Sequence, residues 1–216
     1  MSLPSGYKRL EYIQSSGTQY VDTGIVATAN TAIHFNFSDL VLPKAGDHAL
    51  LGSAWGRLSL LYRSTGAVKW YSSGMATASV STTSINSVIL TPTSMEANGT
   101  SYTVSAPSSY PSTKIYLLNT GDNSAGTSWL GRCKIHALQI YDNGTLVRDF
   151  IPCQKPDGTI GLWDDVNSVF YGNAGTGTFT AGPAIASPSI FVNIDGIWKP
   201  INHIYVNINN IWQKST

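Results

Sequence analysis

Acidic residues are scarce in this sequence of 216 residues, and the two glutamates are Glu11 and Glu96. Charged residues make up 12% of the chain, and the formal net charge is +1. So small a charge gives little electrostatic attraction to a phosphate backbone or to an anionic membrane surface. The composition therefore argues against nucleic acid and against membranes as partners.

Long apolar runs are missing as well. No stretch reaches the roughly 18 residues that a membrane-spanning helix needs, and residues 1–14 lack the basic start and apolar run of a secretory signal. The sequence as it stands predicts a soluble, unexported protein. It leaves the place of action open, because virion components leave the cytoplasm by lysis and a leader can be removed.

Cysteine is nearly absent. Cys133 and Cys153 are too few for a disulfide framework or a cysteine zinc site. They bracket two strand-like runs around Asn143-Gly144, a strong hairpin signal. A three-residue loop would place Cys133 opposite Cys153, whereas a two-residue turn would place Cys133 opposite Gln154. Two reduced, buried thiols are the simplest interpretation, since free cysteine is commonly a small core residue.

Glycine, serine, threonine, asparagine and tyrosine are abundant, as in short strands joined by tight turns. Period-two alternation is visible in "HFNF" (residues 34–37) and "GTSYTVS" (residues 99–105). We therefore predict an all-β fold, a two-sheet antiparallel sandwich over residues 1–182. The proline-containing stretch at residues 183–189 is predicted to be a linker.

The chain ends on two nearly identical phrases, "IFVNIDGIWKP" and "IYVNINNIWQK", at an offset of 14 residues. Each predicts a small hairpin around a two-residue turn, and together they predict a four-stranded meander within residues 190–216. So small a sheet exposes apolar surface that it cannot cover alone. We expect it to dock on copies of itself or on another particle component, with folding back onto the sandwich as the alternative. The candidate assembly residues are Phe191, Ile194, Trp198, Tyr205, Ile208 and Trp212.

The sequence argues against an enzyme. Glucanases of sandwich fold place paired carboxylates at alternate positions of one strand, and neither glutamate is followed two residues later by another acid. Asp164-Asp165 is an adjacent acidic pair, but such residues more often cap backbone amides in a turn. Signatures of hydrolases, phosphate-binding loops and zinc proteases are missing. We therefore expect no catalytic residues.

Three phrases, in this order, resemble laminin-G-like and concanavalin A-like jelly-roll domains of phage and prophage tail proteins and bacterial surface proteins. They are "LPSGYKRLEYIQSSGTQYVDTGI" (residues 3–25), "KIHALQIYDNGTLVRDFIPC" (residues 134–153) and "GLWDDVNSVFYGNAGTGTFTAG" (residues 161–182). The resemblance implies a jelly roll in which the first and last phrases meet near one edge. Related domains bind sugars, calcium or proteins, and a few hydrolyse glycans, so the fold alone does not select a ligand.

Aromatic rings beside polar groups are what a sugar site requires. The candidate ligand-binding residues are Trp55, Arg63, Trp70, Tyr71 and Trp129. In a strand Trp70 and Tyr71 must face opposite ways, so at least one of them belongs to the core. Core packing is the alternative for each aromatic residue.

We expect no organic cofactor and no built metal centre. The loop "NTGDNSAG" at residues 119–126 offers oxygen ligands of the kind that calcium takes. A solvated turn explains the same residues equally well.

The predicted function is that of a non-enzymatic receptor- or glycan-binding protein of a phage or prophage tail, acting by multivalent adhesion. The expected partners are a host-surface glycan or receptor, further copies of the chain, and other tail components. The expected location is the virion, assembled in the bacterial cytoplasm, with the extracellular space or cell surface as the alternative. The competing interpretations are a purely structural virion component and a secreted bacterial carbohydrate-binding module.

Overall fold

The computed structural model describes residues 3–122 and 129–185. Beyond these it describes the backbone pairing of four strands, Ile190–Ile194, Ile197–Ile201, Tyr205–Ile208 and Ile211–Lys214. The described part of the chain contains no helix that could cross a membrane.

Two antiparallel sheets pack face to face, so the predicted all-β, two-sheet sandwich is confirmed. In chain order the strands of the two sheets are β1 Lys8–Arg9, β2 Ile13–Gln14, β3 Val21–Val26, β4 Thr31–Ser38, β5 Asp47–Ala54, β6 Arg57–Arg63, β7 Ala67–Tyr71, β8 Met75–Ser79, β9 Asn86–Thr91, β10 Ser94–Ala97, β11 Thr100–Thr103, β12 Lys114–Leu117, β13 Lys134–Asp142, β14 Thr145–Gln154, β15 Ile160–Asp164, β16 Val169–Tyr171 and β17 Thr180–Ala181. The 11-stranded sheet runs β11-β10-β9-β4-β13-β14-β15-β16, with β1, β2 and β17 attached at β13 and β14. The 6-stranded sheet runs β3-β12-β5-β6-β7-β8.

The core lies between the sheets and follows the alternation of the sequence. In β4, Ile33, Phe35 and Phe37 are buried while the residues between them are partly exposed. From the 6-stranded sheet, Tyr62 and Trp70 enter the same cluster. Because successive side chains of a strand point to opposite faces, each sheet also has an outer face, turned away from the core.

The first and last phrases of the sandwich meet in the 11-stranded sheet. Ile13 of β2 pairs with Ala181 of β17 and also with Ile135 of β13. Leu10 bridges Ala184. The two ends of the sandwich therefore meet, as the resemblance implies, but they do so beside β13, in the interior of the strand order, and not at the edge strands β11 or β16.

The hairpin between β13 and β14 turns on two residues. Asp142 pairs with Thr145, and both turn residues have positive φ, 48° at Asn143 and 75° at Gly144. This is the turn that Asn-Gly favours between antiparallel strands. The alternative with a three-residue loop is wrong.

Neither predicted partner of Cys133 is found. A bulge beside Tyr141 shifts the register, and β13 pairs with β14 from Leu138 onward. Cys153 pairs with Gly161 and Arg9. Both cysteines are buried and free.

The two closing phrases form the two predicted hairpins. β18 (Ile190–Ile194) pairs with β19 (Ile197–Ile201), and β20 (Tyr205–Ile208) pairs with β21 (Ile211–Lys214). The four strands belong to two separate two-stranded sheets, so the predicted meander is not formed by the described strands. Pro200 removes one amide donor from β19, which makes that strand a poorer neighbour for a further strand.

Candidate functional site

The structure separates the five predicted ligand-binding residues into one core residue and four residues of the 6-stranded sheet or its loops. Trp70 is 2% exposed, and its Nε1 donates a hydrogen bond to the carbonyl oxygen of Thr91 at 2.9 Å. Its ring is therefore unavailable to a ligand, and its assignment to a sugar site is wrong. Neighbouring Tyr71 lies on the outer face and is partly exposed, as the alternation of a strand requires.

A second, smaller apolar cluster occupies the outer face of the 6-stranded sheet. Its centre is formed by Ala49, Leu61 and Leu130. Trp55, from the turn between β5 and β6, and Tyr71 pack against this centre while remaining partly exposed. Two of the predicted binding residues thus share one platform on the outer face.

Arg63, Lys69 and Asp47 form a charged cluster on the same outer face. Arg63 donates to the carboxylate of Asp47 at 2.5 Å, and Lys69 Nζ lies 3.5 Å from the same carboxylate. Lys69 is 7% exposed and Nζ also donates to the hydroxyl of Tyr71 at 3.4 Å. A cation so far from water needs its counter-charge. Arg63, a predicted ligand contact, is therefore engaged with Asp47 in this structure.

Trp129 lines a surface groove of about 530 Å³. The groove lies within the range of about 300–1,000 Å³ typical of small-molecule sites. Trp129 is 39% exposed, and its ring meets the ring of Trp55 edge to face, with centroids 6.5 Å apart. The residues that line the groove are Val41, Leu42, Pro43, Lys44, Ala45, His48, Trp129 and Arg132.

The position of the Trp129 ring is set by its neighbours. It packs edge to face on His48, with centroids 5.9 Å apart. On another side it lies directly against Gly46, where a side-chain carbon would collide with the ring. Gly46 has φ +76°, a conformation that L side chains rarely adopt. The glycine therefore permits both the turn of the chain and the approach of the indole.

A buried tyrosine connects the two walls of the groove. The hydroxyl of Tyr62 donates to the carbonyl oxygen of Val41 at 3.2 Å and accepts from the backbone N–H of Arg132 at 3.1 Å. The backbone N–H of Val41 in turn donates to the carbonyl oxygen of Arg132 at 3.0 Å. Burial raises the pKa of Tyr62 far above its usual value, so the hydroxyl stays protonated and can donate. The walls are thus held at a fixed separation.

His48 is the titratable group deepest in the groove. Its Nδ1 lies 3.1 Å from the carbonyl oxygen of Leu130 and donates to it. Burial lowers the pKa of His48; the hydrogen bond to Leu130 opposes this shift, the positive charge of Arg132 adds to it, and the negative charge of Asp47 opposes it. The imidazole is therefore neutral near neutral pH.

The positive charge of the groove comes from Lys44 and Arg132. Neither the ammonium nor the guanidinium makes a hydrogen bond or ion pair within residues 3–122 and 129–185. The described residues that line the groove include no carboxylate. Their arrangement combines an aromatic wall, apolar loop residues and two cations.

The adjacent aspartates form a structural turn. The carboxylate of buried Asp164 accepts hydrogen bonds from the backbone N–H groups of Asp149 (3.1 Å) and Val166 (3.2 Å). It also accepts one from Asn167 Nδ2 at 2.7 Å. These bonds make Asp164 the cap of the turn between β15 and β16, the role expected for it.

The loop predicted as a calcium site lies partly outside the described residues, which end at Asp122 and resume at Trp129. Asp122 accepts a hydrogen bond from the backbone N–H of Trp55 at 3.1 Å. Within residues 3–122 and 129–185, no three histidine, cysteine or acidic side chains come together as a metal site would need. Calcium at this loop stays a prediction.

The six predicted assembly residues belong to the two C-terminal hairpins, and their side chains lie outside the described residues. The backbone register places Asn193 opposite Trp198 and Asn207 opposite Trp212. The hairpins therefore repeat at the level of pairing as well as of sequence.

The sequence analysis missed most of the groove. The loop "VLPKA" at residues 41–45, together with His48 and Arg132, carries no motif. The signal available was two large apolar residues, Val41 and Leu42, beside Pro43 in a loop, where they end 49% and 37% exposed. The stacked pair Tyr20 and Tyr116, with centroids 5.2 Å apart, was missed as well.

Fold and groove together define a two-sheet β-sandwich with an aromatic-lined surface groove. Comparison with protein-family models, with curated proteins and with solved structures finds no match to this chain.

Proposed function

We propose that the protein is a non-enzymatic adhesion module of a phage or prophage tail, which contacts a glycan or glycan-bearing receptor on the host surface. The observation that carries the proposal is the groove of about 530 Å³ that the partly exposed Trp129 lines. An aromatic wall with a few fixed polar groups is the usual composition of a sugar site. The tail setting is supported by the resemblance of the three sequence phrases.

Adhesion through one such groove is weak, because a shallow site buries little of its ligand. Presentation of several copies compensates, since the second contact becomes intramolecular at a high effective concentration. The two C-terminal hairpins, β18–β19 and β20–β21, supply a means of assembly, because a lone hairpin is marginal in water and gains stability from a partner.

The first experiment measures binding of the full-length protein to a glycan array and to host cells. The variant Trp129→Ala should lose binding and stay folded, with a smaller loss of melting temperature than removal of a buried tryptophan would cause, because the ring is partly exposed. A matched control is Tyr141→Ala, which removes a partly exposed aromatic ring from the 11-stranded sheet, where it packs on His34 at 4.8 Å. Equal binding by the two variants would remove the reason to place the ligand at Trp129.

A purely structural virion component is the second candidate, and the hairpin repeat is the observation that favours it. Light scattering on the full chain and on a chain ending at residue 189 separates the two roles. If the two C-terminal hairpins mediate assembly, the full chain should be oligomeric, and the truncated chain should be monomeric and folded. Oligomers together with no binding to any glycan or cell would favour the structural role alone.

A further inference from the structure

We propose that the Trp129 groove selects an anionic saccharide, whose ring lies on Trp129 and whose carboxylate or phosphate is bound by Lys44 and Arg132. This inference rests on the proposed function and names the chemical class of its ligand. Its basis is an imbalance of charge at one place on a nearly neutral molecule.

Several cations of the described residues pair with an acid: Arg63 with Asp47, Lys114 with Asp22 at 2.9 Å, Lys134 with Asp39 at 2.8 Å and Lys155 with Asp157 at 3.0 Å. Lys44 and Arg132, like Lys8, Arg9 and Arg57, make no ion pair with another described residue. What distinguishes Lys44 and Arg132 is that both line one groove, whose described lining residues include no acid. Two like charges at one apolar concavity are unfavourable by themselves and favour an anion there.

Arg132 lines the groove as an exposed residue whose backbone and stem are held by neighbours. Its stem lies over Gly17, which has φ +98°, and a side-chain carbon at Gly17 would collide with it. Its backbone is bound by the Tyr62 hydroxyl and by Val41. A guanidinium held by its backbone and stem can receive a carboxylate or phosphate with two parallel hydrogen bonds at a low entropic cost.

The rest of the groove favours a sugar as the body of the ligand. Trp129 offers a partly exposed indole beside Val41 and Leu42, which suits the apolar face of a pyranose ring. Neutral His48 adds no charge, because its buried imidazole has a lowered pKa. A nucleic acid would need a longer basic track than two cations on a chain of net charge +1 provide.

The test uses calorimetry on the full-length protein with three pairs of probes. Tetragalacturonate is compared with its neutral methyl ester, glucose 6-phosphate with glucose, and tetraglutamate with tetragalacturonate; each is measured at low and at physiological salt. We expect at least one anionic sugar to bind about tenfold more tightly than its neutral partner, the difference that one charge-assisted hydrogen bond supplies. Salt should weaken this preference. Binding of the acid or of the phosphate tells which anion the groove takes.

Variants then assign the preference to its residues. Lys44→Gln and Arg132→Gln should each abolish most of the preference, so that the ratio of the affinities for the anionic sugar and its neutral partner falls towards one. Trp129→Ala should weaken both. Lys155→Gln, which removes a cation paired with Asp157 in another loop, is the control and should change neither.

The outcomes separate this inference from the proposed function. The inference is overturned if tetragalacturonate and its methyl ester bind equally and if Lys44→Gln and Arg132→Gln do not change their affinities. The proposed function would then stand as adhesion to a neutral glycan. Binding of tetraglutamate as tight as that of tetragalacturonate also overturns it, in favour of an acidic peptide. Failure of every saccharide on the array and in solution overturns both proposals.

Discussion

The indole of Trp70 on β7 donates a hydrogen bond to the carbonyl oxygen of Thr91 on β9 at 2.9 Å, and this bond joins the two sheets across the core. A tryptophan that pairs its Nε1 in this way buries both its apolar area and its polar group without an unsatisfied donor. Trp70 therefore stabilises the fold, and the proposed ligand contact is Trp129.

Trp70→Phe should lower the free energy of unfolding by about 1–3 kcal/mol, because the hydrogen bond to Thr91 and part of the packing are lost. Trp70→Ala should cost about 3–5 kcal/mol. Chemical denaturation measures both changes. Glycan affinity of the folded fraction should stay constant, and a specific loss of affinity in Trp70→Phe would contradict the core assignment.

Gly46→Ala should weaken ligand binding, because the new methyl group would displace the Trp129 ring from its place against Gly46. It should also cost about 1–2 kcal/mol of stability, since φ at this position is +76°. Gly144→Ala is the matched control, with φ +75° and open space around the added carbon. The control should lose similar stability and keep its affinity, so equal affinities of the two variants would contradict the packing of Trp129 on Gly46.

Stability should fall as the pH drops below about 6.5, the ordinary pKa of histidine. Burial lowers the pKa of His48 and of His136 in the folded state, so the unfolded chain binds protons first as the pH falls. This loss of stability is absent at high pH. It grows as the pH falls from about 6.5 toward the lowered pKa values of the two histidines in the folded state. Melting temperatures between pH 7 and pH 5 measure it.

The variant His48→Asn, combined with His136→Asn, removes both titrating groups and retains an amide donor toward the carbonyl oxygens of Leu130 and Glu11. Its melting temperature should depend less on pH over the same interval. An unchanged slope would show that other groups dominate the acid sensitivity.

Both thiols should be inert in the native protein and reactive in denaturant. Cys133 and Cys153 are buried and free, and burial raises the pKa of Cys153 to about 12. The thiolate is the reactive form, so a disulfide-exchange reagent at mildly alkaline pH should titrate no thiol in the folded protein. In denaturant it should titrate two. A rapid reaction of one thiol in the native protein would contradict the burial of that cysteine.

The sandwich could be predicted because its signals are local. Alternation in β4 identifies Ile33, Phe35 and Phe37 as inward residues without any knowledge of what they meet. Asn143-Gly144 predicts a tight turn because those two residues tolerate positive φ at low cost. The register beyond the turn was not predictable, since the bulge beside Tyr141 has no signature in the sequence.

What the sequence by itself determined is the chemistry of each strand, the turns between strands and the repeat at the end of the chain, because these depend on neighbouring residues. Which aromatic ring faces solvent was decided only by tertiary structure, since Trp70 and Trp129 are equally apolar in the sequence and differ only in what packs against them. The groove exists because folding brings the loop at residues 41–45 to Trp129 and Arg132, which lie far along the chain. The hydroxyl of Tyr62 joins the two parts by its hydrogen bonds to Val41 and Arg132.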